Sequence, residues 1–268
     1  MDYRGKNKEA WEEAYENRRQ DYDRDLIARL SEEEFPYLDP ELLFEMKKYD
    51  FRGKTAAQFC SNNGRELLNL SKLGLERGIG FDIASNMVKA ANSFADELGL
   101  PCSFLESDIL EIGEEHHNSF DYGLVTIGAL TWFKDLHPFF RKISSCLKEN
   151  GVLFIHEMHP FCGMLAVKGE ENFNEEEPAK IQNSYFKDEP WVDNSGMNYM
   201  TGREYSSKTF TSFQHTLGSI INAMSDSGLY AVRLKEYERD IAGGMFSSLE
   251  DKGLPLSYVL VAEKSPEK

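Results

Sequence analysis

The stretch Thr55-Ala-Ala-Gln-Phe-Cys-Ser-Asn-Asn-Gly64-Arg-Glu-Leu-Leu-Asn-Leu70 changes its hydrophobic period within a few residues. Residues 55–60 are an apolar run of strand length, whereas Leu67, Leu68, Leu70 and Leu73 share one face of a helix. A polar turn with a single glycine joins them. The unit therefore reads as strand, tight turn and helix, the building block of a parallel sheet with crossover helices. The alternation recurs downstream. Residues 78–81 read as a second strand, followed by a helix carrying Met87, Ala91, Phe94, Ala95 and Leu98 and stopped at Gly99-Leu-Pro101. Residues 102–106 and 120–127 give strands three and four. Leu136, Phe139, Phe140, Ile143 and Leu147 mark the next helix face, and the Asn150-Gly151 turn leads into strand five at 152–157.

Outward from this core, residues 1–50 are dense in charge, with Trp11, Ala14, Tyr15, Leu26, Ile27 and Leu30 at helical spacings, and are expected to form an N-terminal helical cap. The core spans 51–159. Residues 160–211 lose the rhythm: an acidic tract (Glu170, Glu171, Glu175, Glu176, Glu177) precedes Tyr185, Phe186, Trp191, Tyr199 and Tyr205, which marks an insertion or lid. Residues 212–268 complete the core, with Phe213, Leu217, Ile220, Ile221 and Met224 on a helix face, Gly228 as its stop, and β-like runs at 230–237 and 256–262.

At 268 residues with 41% hydrophobic and 28% charged side chains, the chain has enough apolar material for a large core, which excludes a disordered or collagen-like protein. The 46 acidic and 30 basic side chains leave a net charge of −16, a field that repels phosphate backbones and anionic membranes. Neither nucleic acid nor membrane is an expected partner. Cys60, Cys102, Cys146 and Cys162 form no C-x-x-C pair, so neither a zinc knuckle nor a disulfide framework is indicated. A reducing cytoplasmic location is expected, since no apolar run reads as a signal core or a bilayer span.

In open α/β sheets ligands bind at the carboxyl ends of the strands, which directs attention to the turns. The first turn has one glycine where a dinucleotide fingerprint needs G-x-G-x-x-G, which argues against NAD. A ligand without phosphate, such as S-adenosylmethionine, needs less close approach and accommodates Cys60, Ser61 and Asn62. Asp82 follows Gly64 by 18 residues (82 − 64), near the distance at which a carboxylate accepts hydrogen bonds from ribose hydroxyls. Glu106-Ser107-Asp108-Ile109 is a polar edge with an apolar neighbour suited to an adenine ring. Each has a plainer reading: Gly64 as a helix-start glycine, Asp82 as a solvated helix cap.

The stretches Asn62-Asn-Gly-Arg-Glu66, Gly80-Phe-Asp-Ile83, Ser107-Asp-Ile109, Phe120-Asp-Tyr122 and Leu147-Lys-Glu-Asn-Gly-Val-Leu153 resemble successive motifs of the class I S-adenosylmethionine-dependent methyltransferases. The resemblance covers residues 51–161 and resumes at 212; Glu157-Met-His-Pro-Phe161, Gln214-His-Thr-Leu217 and Pro255-Leu-Ser257 are similar to a bacterial-type branch. It implies an α/β, Rossmann-like fold: a seven-stranded, mostly parallel sheet with a reversed C-terminal hairpin and helices on both faces. It implies S-adenosylmethionine as cofactor, with Cys60, Ser61, Asn62 and Gly64 along the methionine part, Asp82 and Ile83 at the ribose and adenine, and Phe59 and Ser107 also among the cofactor-binding residues. Asp108 would meet the adenine amino group, Ile109 would lie beside the ring, and Thr126 would line the floor. The chain departs from the family pattern at Gln58, Cys60 and Asn62. Two functions stay open: a methyltransferase for a small-molecule acceptor, or a catalytically silent relative that binds S-adenosylmethionine or S-adenosylhomocysteine as a sensor or subunit.

Methyl transfer from a sulfonium needs positioning more than acid or base chemistry. If the acceptor arrives protonated, His159 is the expected base, with His156 and His215 as the other imidazoles near the pocket mouth. Glu157-x-His159 lacks a third ligand, so no metal is expected. Trp132, Tyr185, Trp191, Tyr199 and Tyr205 are candidates for an acceptor wall, with core packing the equal alternative. Of these groups, Trp132, His159 and Tyr185 are expected nearest the transferred methyl.

Overall fold

The computed structural model describes residues 2–167, 170, 172–203 and 205–265; Glu171 of the acidic tract lies outside the described residues. Three helices, α1 (Tyr3–Glu16), α2 (Tyr22–Glu32) and α3 (Pro40–Met46), precede the repeating units β1 (Thr55–Phe59), α4 (Arg65–Ser71), β2 (Arg77–Asp82), α5 (Ser85–Leu98) and β3 (Cys102–Glu106). Then come β4 (Phe120–Thr126), α6 (Leu136–Cys146) and β5 (Leu147–Met158). The insertion contributes β6 (Trp191–Asp193), the single turn α7 (Asn198–Thr201) and β7 (Phe210–Ser212), and the chain closes with α8 (Leu217–Ser225), β8 (Leu229–Tyr237) and β9 (Ser257–Lys264).

The main sheet has the order β3-β2-β1-β4-β5-β9-β8. β1 to β5 run parallel, while β9 is antiparallel to both β5 and β8, the reversed hairpin that the motif order implies. Strand order reverses between β1 and β4, and the crevice at that switch point opens at their carboxyl ends. Central strands are buried on both faces, which is why they read as apolar runs without alternation. One face packs Phe139, Phe140, Ile143, Ile220 and Met224 of α6 and α8 against the sheet; the other packs Leu42, Met46, Leu67, Leu68 and Phe94 of α3, α4 and α5.

Local chemistry sets the element ends. Asp135 caps α6 by accepting from His137 N, Thr216 and Ser219 form a capping box on α8, and Gly99 ends α5 in the left-handed region. β1 stops at Phe59, one residue before the end of the expected run, because Cys60 turns to φ 60°. α4 stops at Ser71, with the left-handed Gly74 three residues later rather than at the cap. β5 starts five residues early, since Leu147 already pairs with Phe120. Phe213 lies outside α8, where its N–H donates to Thr131 O. In the insertion β6 pairs with β7, and β7 spans residue 211, where the insertion was expected to end.

At the sheet edge, the register of β8 on β9 shifts between Ala231 and Arg233, so Val232 has no partner opposite. Tyr230, Val232 and Leu234 are exposed there. Arg233 and Lys235 reach the buried Glu45 of α3 at 3.1 and 3.0 Å.

Candidate functional site

The turn after β1 is made of left-handed residues: Cys60, Asn62 and Gly64 have φ of 60°, 51° and 79°. Asn tolerates this region better than Cys, and glycine does so freely. A Cβ on Gly64, or on Gly80 in β2, would overlap the ring of Phe104, so two glycines let that ring lie against the turn. Asp82, at the end of β2, holds the coil in place. Its Oδ2 accepts from Asn62 N (2.7 Å) and its Oδ1 from Ala84 N (2.9 Å). Burial pushes the Asp82 carboxyl up to about 6, against the opposing hydrogen bonds from the Ala84, Asn62 and Ile83 amides.

Across the switch point the turn after β4 is held in the same way from β5. The buried Glu157 carboxylate accepts from Gly128 N and from Leu130 N, the latter at 3.0 Å, with Gly128 at φ 87°. Burial pushes this carboxyl up to about 7 despite the backbone donors. Between the two turns, Thr126 Oγ1 accepts from Gln58 Nε2 (3.0 Å), and Gln58 Oε1 accepts from Leu67 N (3.1 Å). This chain ties the floor of the crevice to α4.

The outer edge is laid out by α1. Arg4 pairs with Asp108, Lys8 with Glu106, and Glu12 Oε1 accepts from Ser85 N (3.1 Å) and Ser85 Oγ (2.8 Å). Asp108 also caps the short turn at Ile109–Glu111 by accepting from Leu110 N. A cleft of about 610 Å³ opens there, lined by Arg4, Lys8, Ile83, Ser107, Asp108 and Glu111 among others. From the insertion, the Tyr199 hydroxyl accepts from Asn62 Nδ2 (3.3 Å), and Phe210 and Trp11 pack on the Trp132 ring at centroid distances of 5.9 and 5.4 Å.

Cys60, Ser61, Asn62, Gly64, Asp82, Ile83, Ser107, Asp108 and Thr126 thus gather at the carboxyl ends of β1 to β4. Phe59 and Ile109 lie in the core: the Phe59 ring stacks on Phe81 at 6.0 Å, and Ile109 is buried in the same apolar cluster. His159 is not brought to this group. It faces β8, with Nδ1 accepting from Phe161 N (3.0 Å) and Nε2 lying 2.8 Å from Glu236 Oε1, and burial lowers its pKa despite that carboxylate. His156 is enclosed in β5, and His215 Nε2 sits 2.9 Å from Phe133 O. The Tyr185 hydroxyl accepts from Leu217 N (3.1 Å) at the start of α8. Among the described residues, no three His, Cys, Asp or Glu side chains gather as a metal site.

Sequence reasoning passed over Glu157 as part of the crevice, and Arg4, Lys8 and Glu12 as its outer edge. The signals were present: an acid at the carboxyl end of an apolar strand, and three charged residues at i, i+4 and i+8 on one helix face.

A family model described as a methyltransferase domain matches residues 58–155. A search of curated proteins gave no match. Among solved structures, the fold is similar to an S-adenosylmethionine-dependent methyltransferase from Mesorhizobium loti (TM-score 0.60, 16% identity, covering 87% of this chain and 99% of that one). It is also similar to one from Methanosarcina mazei (0.59, 17%, 86% and 99%). A third is the geranyl diphosphate C-methyltransferase of Streptomyces coelicolor, solved with Mg2+, geranyl diphosphate and S-adenosylhomocysteine (0.59, 13%, 92% and 85%). Residues 58–155 thus match a methyltransferase domain, and the sheet around them, with its reversed hairpin, has the fold of the S-adenosylmethionine-dependent methyltransferases named above.

Proposed function

We propose that the chain transfers the methyl group of S-adenosylmethionine to a small-molecule acceptor, in the reducing cytoplasm that its four free cysteines suit. The observation that carries the reading is Asp82: a buried carboxylate at the end of β2 that organises the first turn and borders the cleft at Ile83, Ser107 and Asp108. The first turn suits the amino-acid end of the cofactor. Ser61 Oγ and both amide atoms of Asn63 are fully buried and have no hydrogen-bond partner among the described residues, and unsatisfied polar atoms of that kind point to a ligand.

The cofactor supplies an activated methyl on a sulfonium. The residues of the chain bind, orient and exclude water. Asp82 and Asp108 take the ribose and adenine ends, the turn at 60–64 takes the amino-acid end, and Trp132 with Tyr199 forms the wall where α1 and the insertion meet. A closed wall orders two reactants and keeps water from the donor. His159 carries no proton-transfer role in this reading, because its Nδ1 accepts from Phe161 N and its Nε2 lies beside Glu236 of β8. A small acceptor is favoured because a charge of −16 opposes a polynucleotide.

Titration calorimetry tests the reading. S-Adenosylhomocysteine should bind and NADH should not, and Asp82→Ala should weaken binding by about 1.5–3 kcal/mol, the usual worth of a charged hydrogen bond. Turnover of methyl-labelled donor over a metabolite panel then identifies the acceptor. Binding of NADH alone would overturn the assignment.

A further inference from the structure

Glu157 plays no part in the cofactor contacts proposed above, yet it is an enclosed carboxylate beside the crevice, 3% exposed. The sheet register places it there. Phe59 pairs with Val125 and Thr126 with His156, so Glu157 stands on β5 one residue beyond the level of Cys60 and Thr126, beside the start of the turn after β4. Its carboxylate reaches under the Gly128–Leu130 turn, and among the described residues no cationic side chain pairs with it. Burial pushes the Cys60 thiol up, and the carboxylates of Asp82, Glu157 and Asp108 push it the same way.

Resting on the cofactor reading above, we infer that Glu157 is the counter-charge for the sulfonium: it favours cationic S-adenosylmethionine over the uncharged thioether S-adenosylhomocysteine, and so biases the site toward loading donor and releasing product. The two ligands share the adenosine and the amino acid, so contacts to those parts cancel in the comparison. What differs is one methyl and one positive charge, and a charge beside an enclosed carboxylate is attracted more strongly than in water.

A second consequence follows by linkage. Burial holds the Glu157 carboxyl at about 7, so near neutrality it is divided between its two forms. A neighbouring cation draws it to the charged form and expels a proton, which the thioether does not. The other titratable groups around this point are Cys60 on the first turn, Tyr258 on β9, His215 ahead of α8, Asp82 and Asp108. Burial and the nearby carboxylates push Cys60 far up, burial and Glu157 do the same to Tyr258, and burial lowers His215, so all three are neutral at and above pH 7. Asp82, at about 6, titrates below that point, and Asp108 is paired with Arg4.

The experiment is calorimetry of both ligands at pH 6, 7 and 8, in phosphate and in Tris, on the wild type, Glu157→Gln and Glu157→Asp. The wild type should prefer S-adenosylmethionine increasingly as pH rises, and at pH 7 should release a fraction of a proton on binding it but not on binding the thioether. Glu157→Gln should cut the preference about tenfold at pH 8 and abolish the proton release, with thioether affinity held within about threefold. Glu157→Asp, which keeps the charge, should retain the proton release. Equal weakening of both ligands in Glu157→Gln, or a wild-type preference that ignores pH, overturns the inference while leaving the cofactor reading intact. A wild type that binds neither ligand overturns the cofactor reading itself.

Discussion

The inner wall of the crevice and its outer edge both rest on carboxylates, but of opposite kinds. Asp82 and Glu157 are enclosed; Asp82 accepts from one amide of the first turn and one of its own, and Glu157 from two amides of the turn after β4. Asp108 and Glu106 hold α1 through Arg4 and Lys8, whose side chains are 36% and 33% exposed. Enclosed charge-assisted hydrogen bonds contribute about 1.5–3 kcal/mol each, whereas exposed ion pairs contribute about 0–1 and weaken with salt. The inner wall is therefore the more firmly held of the two, and the outer edge is fastened by the weaker contacts.

The largest effect expected from breaking this contrast comes at the inner wall. Gly64→Ala puts a side chain at φ 79° and into the Phe104 ring, so urea unfolding should report a loss of about 2–4 kcal/mol. Adding Phe104→Ala relieves the overlap but not the dihedral, so the double variant should cost less than the sum of the two single ones. Strict additivity would mean that ring and turn are independent.

A smaller effect is read as a pH dependence. Asp82 and Glu157 have folded pKa values of about 6 and about 7, above their unfolded values near ~4. The stability linked to their protonation is full below pH ~4 and is lost as pH rises through 6 for Asp82 and through 7 for Glu157. Thermal or chemical unfolding should show the wild type losing roughly 2–4 kcal/mol relative to Glu157→Gln between pH ~4.5 and 7.5. A flat difference across that window would show that the carboxyl is solvated.

The smallest effect belongs to the outer edge. Arg4→Ala should change global stability by less than about 1 kcal/mol, yet raise amide exchange along α1, and added salt should reproduce part of that rise. Loss of several kcal/mol would make α1 part of the rigid wall.

Much of this arrangement is legible in the sequence, and the boundary is physical. The central strands are buried on both faces, so 55–60 and 120–127 announce themselves as apolar runs, and Gly99 ends its helix where a left-handed cap is needed. Asp82 and Asp108 could be placed because turns follow strands at fixed intervals. What escaped depends on contacts distant in sequence. Arg4 meets Asp108 across 104 residues and Asn62 meets Tyr199 across 137, and no local pattern encodes either. His159 was drawn toward the chemistry by its position after a strand, but β8 supplies Glu236 on its other side and turns it into a cap for the following turn.

The unpartnered Val232 on β8 bears on how the protein behaves at high concentration. An open strand edge carrying Tyr230, Val232 and Leu234 is a template on which another chain could extend the sheet, and untreated edges of that kind seed aggregates. The register shift interrupts the template near its middle, and Arg233 and Lys235, tethered to Glu45, set positive charge along the rim. An incoming strand would have to follow the kink and accept those cations, so the edge that closes the reversed hairpin also keeps separate molecules from joining their sheets.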